Sequence, residues 1–243
     1  MFLPRLFGGA LPQRPDVIWL VLVCFALVLF LLPVSSYVAA VPVLEGEWDL
    51  TNTHVGIIYS TYLAGYALSA LAIIPLTDRV NSKSVIYSAG LLSIGSHIVF
   101  PLAADGLVSA VVIRAIQGIG FVGIHIPLLR IVADRFPNKW RGLATGFYVS
   151  MAYGGWSLSL LITGAVMNFV SWDTAYLVLA IVSLISAPIA YTLLRGYHSA
   201  PKIRSSGRLD VNVLRHRPVR YMVAGYTVHT LEVLTIQIWI PLF

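Results

Sequence analysis

Seven long apolar runs, at about 17–43, 54–77, 84–103, 107–133, 143–168, 174–195 and 219–242, limit what this chain can fold into. Each is close to the roughly 20 residues that carry an α-helix across the hydrocarbon core of a bilayer. A water-soluble fold has no way to bury seven helices that are apolar all round. Only 11% of the residues are charged, where a soluble domain carries about a quarter. The runs predict an all-α polytopic membrane protein with the lipid bilayer as its solvent.

The net charge of +6 would suggest a nucleic-acid partner if its placement were ignored. Arg5, Arg14, Arg79, Lys83, Arg130, Arg135, Lys139, Arg141, Arg195, Lys202, Arg204, Arg208, Arg215, Arg217 and Arg220 fall at the amino terminus or on the even-numbered connections. The odd-numbered connections carry only Glu45, Glu47, Asp49, Asp105 and Asp173. Lys and Arg collect on the cytoplasmic side of spanning helices. The segregation therefore predicts a multi-pass protein of the cytoplasmic (inner) membrane, its amino terminus in the cytoplasm, with no nucleic-acid partner. Cys24 is the single cysteine, so no disulfide framework forms. The first run is too long for a cleaved signal peptide and predicts a retained helix. No nucleotide-binding motif, metal-ligand cluster or nucleophile constellation appears. Neither a cofactor, a metal nor catalytic residues are expected, and the chain is not expected to be an enzyme.

Four segments follow from the composition. Residues 1–16 form a cytoplasmic amino terminus and 17–195 a six-helix bundle. Residues 196–218, which are polar, basic and rich in Ser, Gly and Pro, form a cytoplasmic linker, and 219–243 a seventh helix. The bundle carries an internal repeat at a shift of 90 residues. Gly56/Gly146, Ser60/Ser150, Gly65/Gly155, Leu68/Leu158 and Ser69/Ser159 match without a gap, and the same shift lays the first span on the fourth and the third on the sixth. Three helices cross a membrane an odd number of times, so the second copy is inverted.

The fourth run holds the chain's densest polar pattern. Arg114, Gln117, Phe121 and His125 follow steps of 3, 4 and 4 and share one helical face, with Gly118, Gly120 and Gly123 beside it. An arginine in hydrocarbon is costly and marks a substrate, ion or coupling site, unless it snorkels to the surface. After this run comes Asp134-Arg135-Phe136-Pro137, then Arg141-Gly142.

The pattern R-x-x-Q-G-x-G followed by D-R-F-P-x-x-x-R-G resembles the fourth helix and following cytoplasmic loop of the major facilitator superfamily. The loop PLTDRVNSKSV after the second run is similar to the family's G-x-x-x-D-R-x-G-R-K motif, with Asp78, Arg79 and Lys83 in place. Ile74 and Asn81 replace its two glycines. The resemblance implies a helical bundle with a 3+3 inverted repeat, truncated here after the seventh helix, so that helices 8–12 would be missing partners. It implies secondary active transport of a small solute by alternating access. It also implies a cytoplasmic gate of Asp78, Arg79, Lys83, Asp134, Arg135 and Arg141, with the basic residues of the first loop engaging the turn between helices 4 and 5.

Within that frame Arg114, Gln117, His125, Tyr37 and Tyr148 are candidate substrate or coupling residues. Tyr37 lies between Pro33 and Pro42, where either a repaired kink or a cavity-facing ring is expected. His97, alone among apolar residues, is expected to be a bonded core residue. Glu232 is the only acid deep in a span, with His229 one turn away. The pair suits proton coupling, and Glu232 is a candidate ion partner for Arg114. Trp172 is expected as an interfacial anchor. The expected substrate is a small anion, with a proton or other ion coupled to it. Multidrug or toxic-compound efflux is the alternative, against which Gly154-Gly155-Trp156 lacks the proline of the family's drug antiporters. A non-transporting remnant or regulatory membrane protein is the third expectation.

Overall fold

The computed structural model describes residues 13–136, 139–197 and 215–239. It divides into two compact units, Met1–Ser199 and Ala200–Phe243. In the first unit the helices are α1 (Arg14–Leu31), α2 (Ser36–Glu47), α3 (Asn52–Arg79) and α4 (Ser82–Ala103). They continue with α5 (Leu107–Arg135), α6 (Lys139–Val166), α7 (Trp172–Ser183) and α8 (Ser186–Leu194). In the second unit α9 covers Arg217–Trp239, starting two residues before the seventh apolar run. Six helical stretches are long and apolar enough to cross a membrane: α1 with α2, α3, α4, α5, α6, and α7 with α8. The expected linker falls mostly on 198–214, outside the described residues.

Backbone groups in hydrocarbon must be satisfied by the protein itself, so each interruption needs a local repair. Pro33 has no N–H to continue α1, and the chain turns over 32–35 before resuming as α2. The Ser159 hydroxyl on α6 donates to the Leu32 carbonyl, and the Ser35 N–H donates back to Ser159 Oγ at 2.9 Å. Ser36 and Thr163 share a hydrogen bond of 2.8 Å beside it. The sixth run is likewise broken between α7 and α8, ahead of Pro188. There the Ala187 N–H reaches the Leu184 carbonyl at 3.1 Å, and Ser183 and Ser186 each satisfy a carbonyl of the preceding turn at 2.6 Å. The kink-with-hydroxyl-repair expectation for Pro33 is met, although the serine doing the repair comes from another helix.

Helix starts follow local chemistry. Thr51 caps α3 by accepting from the His54 N–H at 3.3 Å, while His54 Nδ1 accepts from the Thr51 N–H at 3.4 Å. Asn81 caps α4, its side chain accepting from the Lys83 N–H at 3.0 Å. This residue stands where the family motif has glycine, and its cap starts the next helix. Asp49 takes a left-handed conformation, φ 50°, in the turn before α3, a conformation aspartate tolerates better than most residues.

Side-chain contacts confirm the up-and-down arrangement expected from the charges. At one end Trp19 Nε1 donates to the Leu193 carbonyl, Lys83 Nζ to the Arg195 carbonyl and Tyr197 Oη to Asp134. Arg135 pairs with Asp16 at the same end. At the other end Trp172 Nε1 donates to Glu47 at 2.7 Å, and Trp48 packs on Trp172 and Phe100. Trp172 is thus 8% exposed and bonded to a neighbouring helix. The interfacial-anchor expectation is corrected, because a carboxylate on α2 takes its N–H first.

α5 lies against both α3 and α4, and its glycines make this possible. A Cβ at Gly118 would land on the Tyr62 carbonyl of α3, and one at Gly65 on the Ala115 carbonyl of α5. Gly120 faces the Ser93 backbone and Gly123 faces Ala89, both on α4. Sequence spacing grouped these three glycines on one side; in the bundle Gly118 serves one neighbour and the other two serve the second. Small residues let membrane helices approach closely and gain dispersion contacts.

Gly118→Ala should therefore destabilise the bundle by at least the roughly 1–3 kcal/mol of ordinary overpacking, since its new methyl meets backbone that cannot rotate away. Gly95→Ala, which meets nothing within 4 Å, should be neutral or stabilising by up to about 1 kcal/mol. Thermal unfolding of the two variants in lipid nanodiscs gives the comparison.

Candidate functional site

Arg114 lies two turns into α5 and is 1% exposed. The snorkelling alternative is therefore excluded. Its guanidinium sits over the ring of Tyr62 at 4.4 Å and that of Tyr37 at 5.0 Å. Aromatic faces stabilise a desolvated cation by about 2 kcal/mol each in the best geometries. One guanidinium N–H donates to Gln117 Oε1 at 3.0 Å. Gln117 Nε2 in turn donates to the Ser96 carbonyl at 3.2 Å and to Tyr176 Oη at 3.3 Å. Tyr176 Oη lies 2.9 Å from His97 Nδ1. Arg114, Gln117, Tyr176 and His97 are all essentially without solvent access.

Two features leave this cation uncompensated. Within the first unit no carboxylate lies within ion-pair distance of Arg114 among the described residues. Arg114 Nε and the Tyr62 hydroxyl are buried and have no hydrogen-bond partner among the described residues. An unmatched buried donor costs about 1–3 kcal/mol, more when charged. The surroundings thus hold surplus donors and a positive charge, a combination that an oxygen-rich anion would satisfy.

One face of α5 extends this cluster toward the basic end. Phe121 stacks on Tyr62 at 6.4 Å and on Phe30 at 6.3 Å. It also meets Tyr66, His125 and Trp156 at 5.5, 5.3 and 5.8 Å. The Tyr148 hydroxyl donates to the His125 carbonyl at 3.3 Å, with the His125 ring at 3.5 Å. The structure therefore brings Arg114, Gln117 and Tyr37 into one contact group and His125 with Tyr148 into a second, joined through Phe121. Tyr37 is fully buried, its hydroxyl donating to the Val55 carbonyl at 3.3 Å, so its ring serves Arg114.

Tyr62, Tyr176 and His97 are the participants that sequence spacing left out of the site. A signal for Tyr62 was present. Tyr59, Tyr62 and Tyr66 step by 3 and 4 along one face of α3, the face that turns to α5. Tyr176 has no comparable signal, because its place beside Gln117 is a product of helix packing alone.

The expected gate residues collect at the basic end with different partners. Arg135 pairs with Asp16 at 2.8 Å and lies over the Trp19 ring at 4.5 Å. Arg141 Nε donates to the Ala133 carbonyl at 2.9 Å. Lys83 Nζ donates to the carbonyl of Arg195 at 3.3 Å. The turn between α5 and α6, which the expectation named, includes residues 137–138, outside the described residues. The side chains of Asp78 and Arg79 lie outside the described residues. In the second unit, His229 Nδ1 is 4.0 Å from Glu232 Oε2, one helical turn apart as expected. Among the described residues no group of three or more His, Cys, Asp or Glu side chains is placed to hold a metal ion.

The model of the Major Facilitator Superfamily matches residues 23–243. The chain belongs to this family. It is 28% identical over 171 residues to the MFS-type transporter ppz2 of Metarhizium majus, covering 68% of this chain and 28% of that protein. It is 27% identical over 176 residues to the hexuronate transporter of Bacillus subtilis, 70% of this chain and 41% of that one. It is 24% identical over 190 residues to the multidrug resistance protein MdtL of a Shewanella species, 76% of this chain and 46% of that one. The chain thus spans less than half the length of these relatives. Membership makes it a multi-pass membrane protein of a transporter family.

The two rings around Arg114 make separable predictions. Tyr62→Phe should leave folding stability within about 0.5 kcal/mol, because the hydroxyl it removes has no partner. Tyr62→Leu, which removes the ring face, should cost about 1–2 kcal/mol. Guanidinium-free thermal unfolding in nanodiscs, with Arg114→Met as the reference background, distinguishes the ring's role beneath the cation from simple packing.

Proposed function

We propose that this chain carries the amino-terminal six-helix bundle, linker and first following helix of a proton-coupled secondary transporter for a small organic anion. The observation that carries this reading is the buried Arg114 guanidinium, held by two rings and an amide with no carboxylate partner in its unit among the described residues. An anionic solute supplies the missing acceptor. The hexuronate transporter among the relatives acts on a solute of that chemistry. In this reading the protein is a permease of the cytoplasmic membrane with its amino terminus inside. Its basic end, with Asp78, Arg79, Lys83, Asp134, Arg135 and Arg141, is the cytoplasmic gate.

Alternating access follows from the same electrostatics. With solute bound, the cation at Arg114 is neutralised and the bundle closes around a charge-balanced site. Glu232, with His229 one helical turn away, is the group that takes up and gives back the coupled proton. His125, Gln117, Tyr37 and Tyr148 line or brace the route beside Arg114.

Efflux of apolar compounds is the second reading, favoured by the ring ladder Tyr66–Phe121–Trp156–Tyr153 and by similarity to a multidrug resistance protein.

In proteoliposomes containing the chain within its whole reading frame, D-galacturonate should drive proton movement. Arg114→Gln should abolish galacturonate uptake, and Glu232→Gln should abolish the accompanying pH change. Uptake that is indifferent to Arg114→Gln would sink the anion reading. Export of a planar drug that survives this substitution would establish efflux instead.

A further inference from the structure

The hydrogen bonds around Arg114 have a direction. Gln117 Oε1 accepts from Arg114, which fixes the amide so that Nε2 points away. Nε2 has two protons; one goes to the Ser96 carbonyl and the other to the Tyr176 oxygen. With its oxygen accepting from Gln117, Tyr176 has its own proton free for His97 Nδ1 at 2.9 Å. His97 Nδ1 is then an acceptor, and the ring proton resides on Nε2.

The opposite tautomer fits less well. A proton on Nδ1 would make Tyr176 accept from both Gln117 and His97. The tyrosine proton would then lack an acceptor, and Nε2 would be left as a buried acceptor without a donor. The first tautomer leaves one group unmatched, Nε2–H, an atom without a partner among the described residues; the second leaves two. Buried polar groups are paired where geometry allows, so the first arrangement is favoured. Each bond of the chain then runs from the cation outward, and successive bonds of one sense polarise one another.

We infer that His97 on α4 and Tyr176 on α7 are positioning residues for Arg114: they end a directional chain, Arg114 to Gln117 to Tyr176 to His97, that holds the guanidinium over Tyr37 and Tyr62. The inference rests on Arg114 being the solute-binding cation. It gives a role to a histidine that the sequence marked only as a bonded core residue, which it is. The chain also explains the choice of glutamine. Only a side chain with an acceptor and a donor in one plane can take a bond from Arg114 and pass one to Tyr176. Glutamate in its place would pair with the guanidinium and cancel the charge that draws the anion.

Because Tyr176 sits on α7, the sixth span is tied to Arg114 through one hydroxyl. Phe100 packs on Tyr176 at 5.2 Å and on Tyr37 at 6.0 Å, so the same ring braces both the positioning tyrosine and the tyrosine beneath the cation. Loss of the hydroxyl alone leaves this packing in place, which makes Tyr176→Phe a clean test.

Two measurements test the assignment, one of them independent of any solute. In the whole protein in nanodiscs at neutral pH, ¹⁵N spectra of histidine-labelled material should show His97 as the Nε2–H tautomer, identified by loss of its signal in His97→Asn. Tyr176→Phe should shift the Arg114 side-chain resonances and speed their hydrogen exchange. An Nδ1–H tautomer, or Arg114 resonances unmoved by Tyr176→Phe, overturns the inference whatever the solute.

In galacturonate uptake, Tyr176→Phe and His97→Leu should raise KM about tenfold, one lost oriented contact, with Vmax within about threefold. His97→Asn, whose Oδ1 can replace Nδ1 as acceptor, should restore KM to within about threefold of the parent. Equal damage from His97→Asn and His97→Leu in well-folded protein overturns the positioning role. Failure of Arg114→Gln to affect uptake refutes the anion reading separately, since the spectroscopic result does not depend on it.

Discussion

A guanidinium held away from water organises this bundle. Even by insertion scales, which give the smaller values, an arginine in mid-membrane costs about 2.5–3.5 kcal/mol. Here the cost is offset by two aromatic faces from α2 and α3 and by one amide on α5 itself. Those faces reach the cation only if three helix backbones come very close. Gly65 and Gly118 permit the approach of α3 and α5, and Gly120 and Gly123 permit that of α4. The glycine pattern and the arginine are therefore parts of one solution. The glycines bring the helices in, and the helices then supply the arginine with rings and the hydrogen-bonded chain to His97.

The same logic of internal satisfaction governs the interruptions. Proline at 33 and at 188 removes a backbone donor in regions where lipid offers no replacement. Both breaks are stitched by serine hydroxyls, one set from a neighbouring helix and one from the same segment. The serine that repairs the first break, Ser159, is one of the residues shared by the two repeats. Its counterpart, Ser69, lies on α3, and α5, the fourth span that corresponds to the first, runs unbroken from Leu107 to Arg135. The repeat thus conserves small polar residues while the two copies use them differently. A hydroxyl that mends a break in one copy has no break to mend in the other.

Polar chemistry is divided along the bundle. The basic end is a set of contacts between helix termini, Asp16 with Arg135, Asp134 with Tyr197, Lys83 with the last turn of α8. Exposed ion pairs and polar contacts of this kind contribute little to stability, so exchanging their partners costs little. The interior cluster at Arg114 is the reverse. Its bonds lie in a low-dielectric setting where an unpaired charge is expensive, and replacing one partner with another carries a large free-energy change. The buried cation and the exposed basic end thus set two different free-energy scales within one bundle of the family.

Much of this was legible in the chain itself. Run length and hydropathy determined that the helices span a bilayer, because hydrocarbon thickness sets how many apolar residues a helix needs. Charge placement determined which ends lie together, and the steps between Arg114, Gln117, Phe121 and His125 determined that they share a face, since 3.6 residues per turn leaves no other geometry. The asparagine and threonine caps were equally local. Partners across helices were decided only by the tertiary structure. Nothing in the chain order tells Tyr176 to meet Gln117, Trp172 to meet Glu47, or Lys83 to meet Arg195. These contacts depend on helix rotation and crossing, which glycine contacts and packing set jointly. Periodicity says which way a side chain points on its own helix; only packing says what it meets.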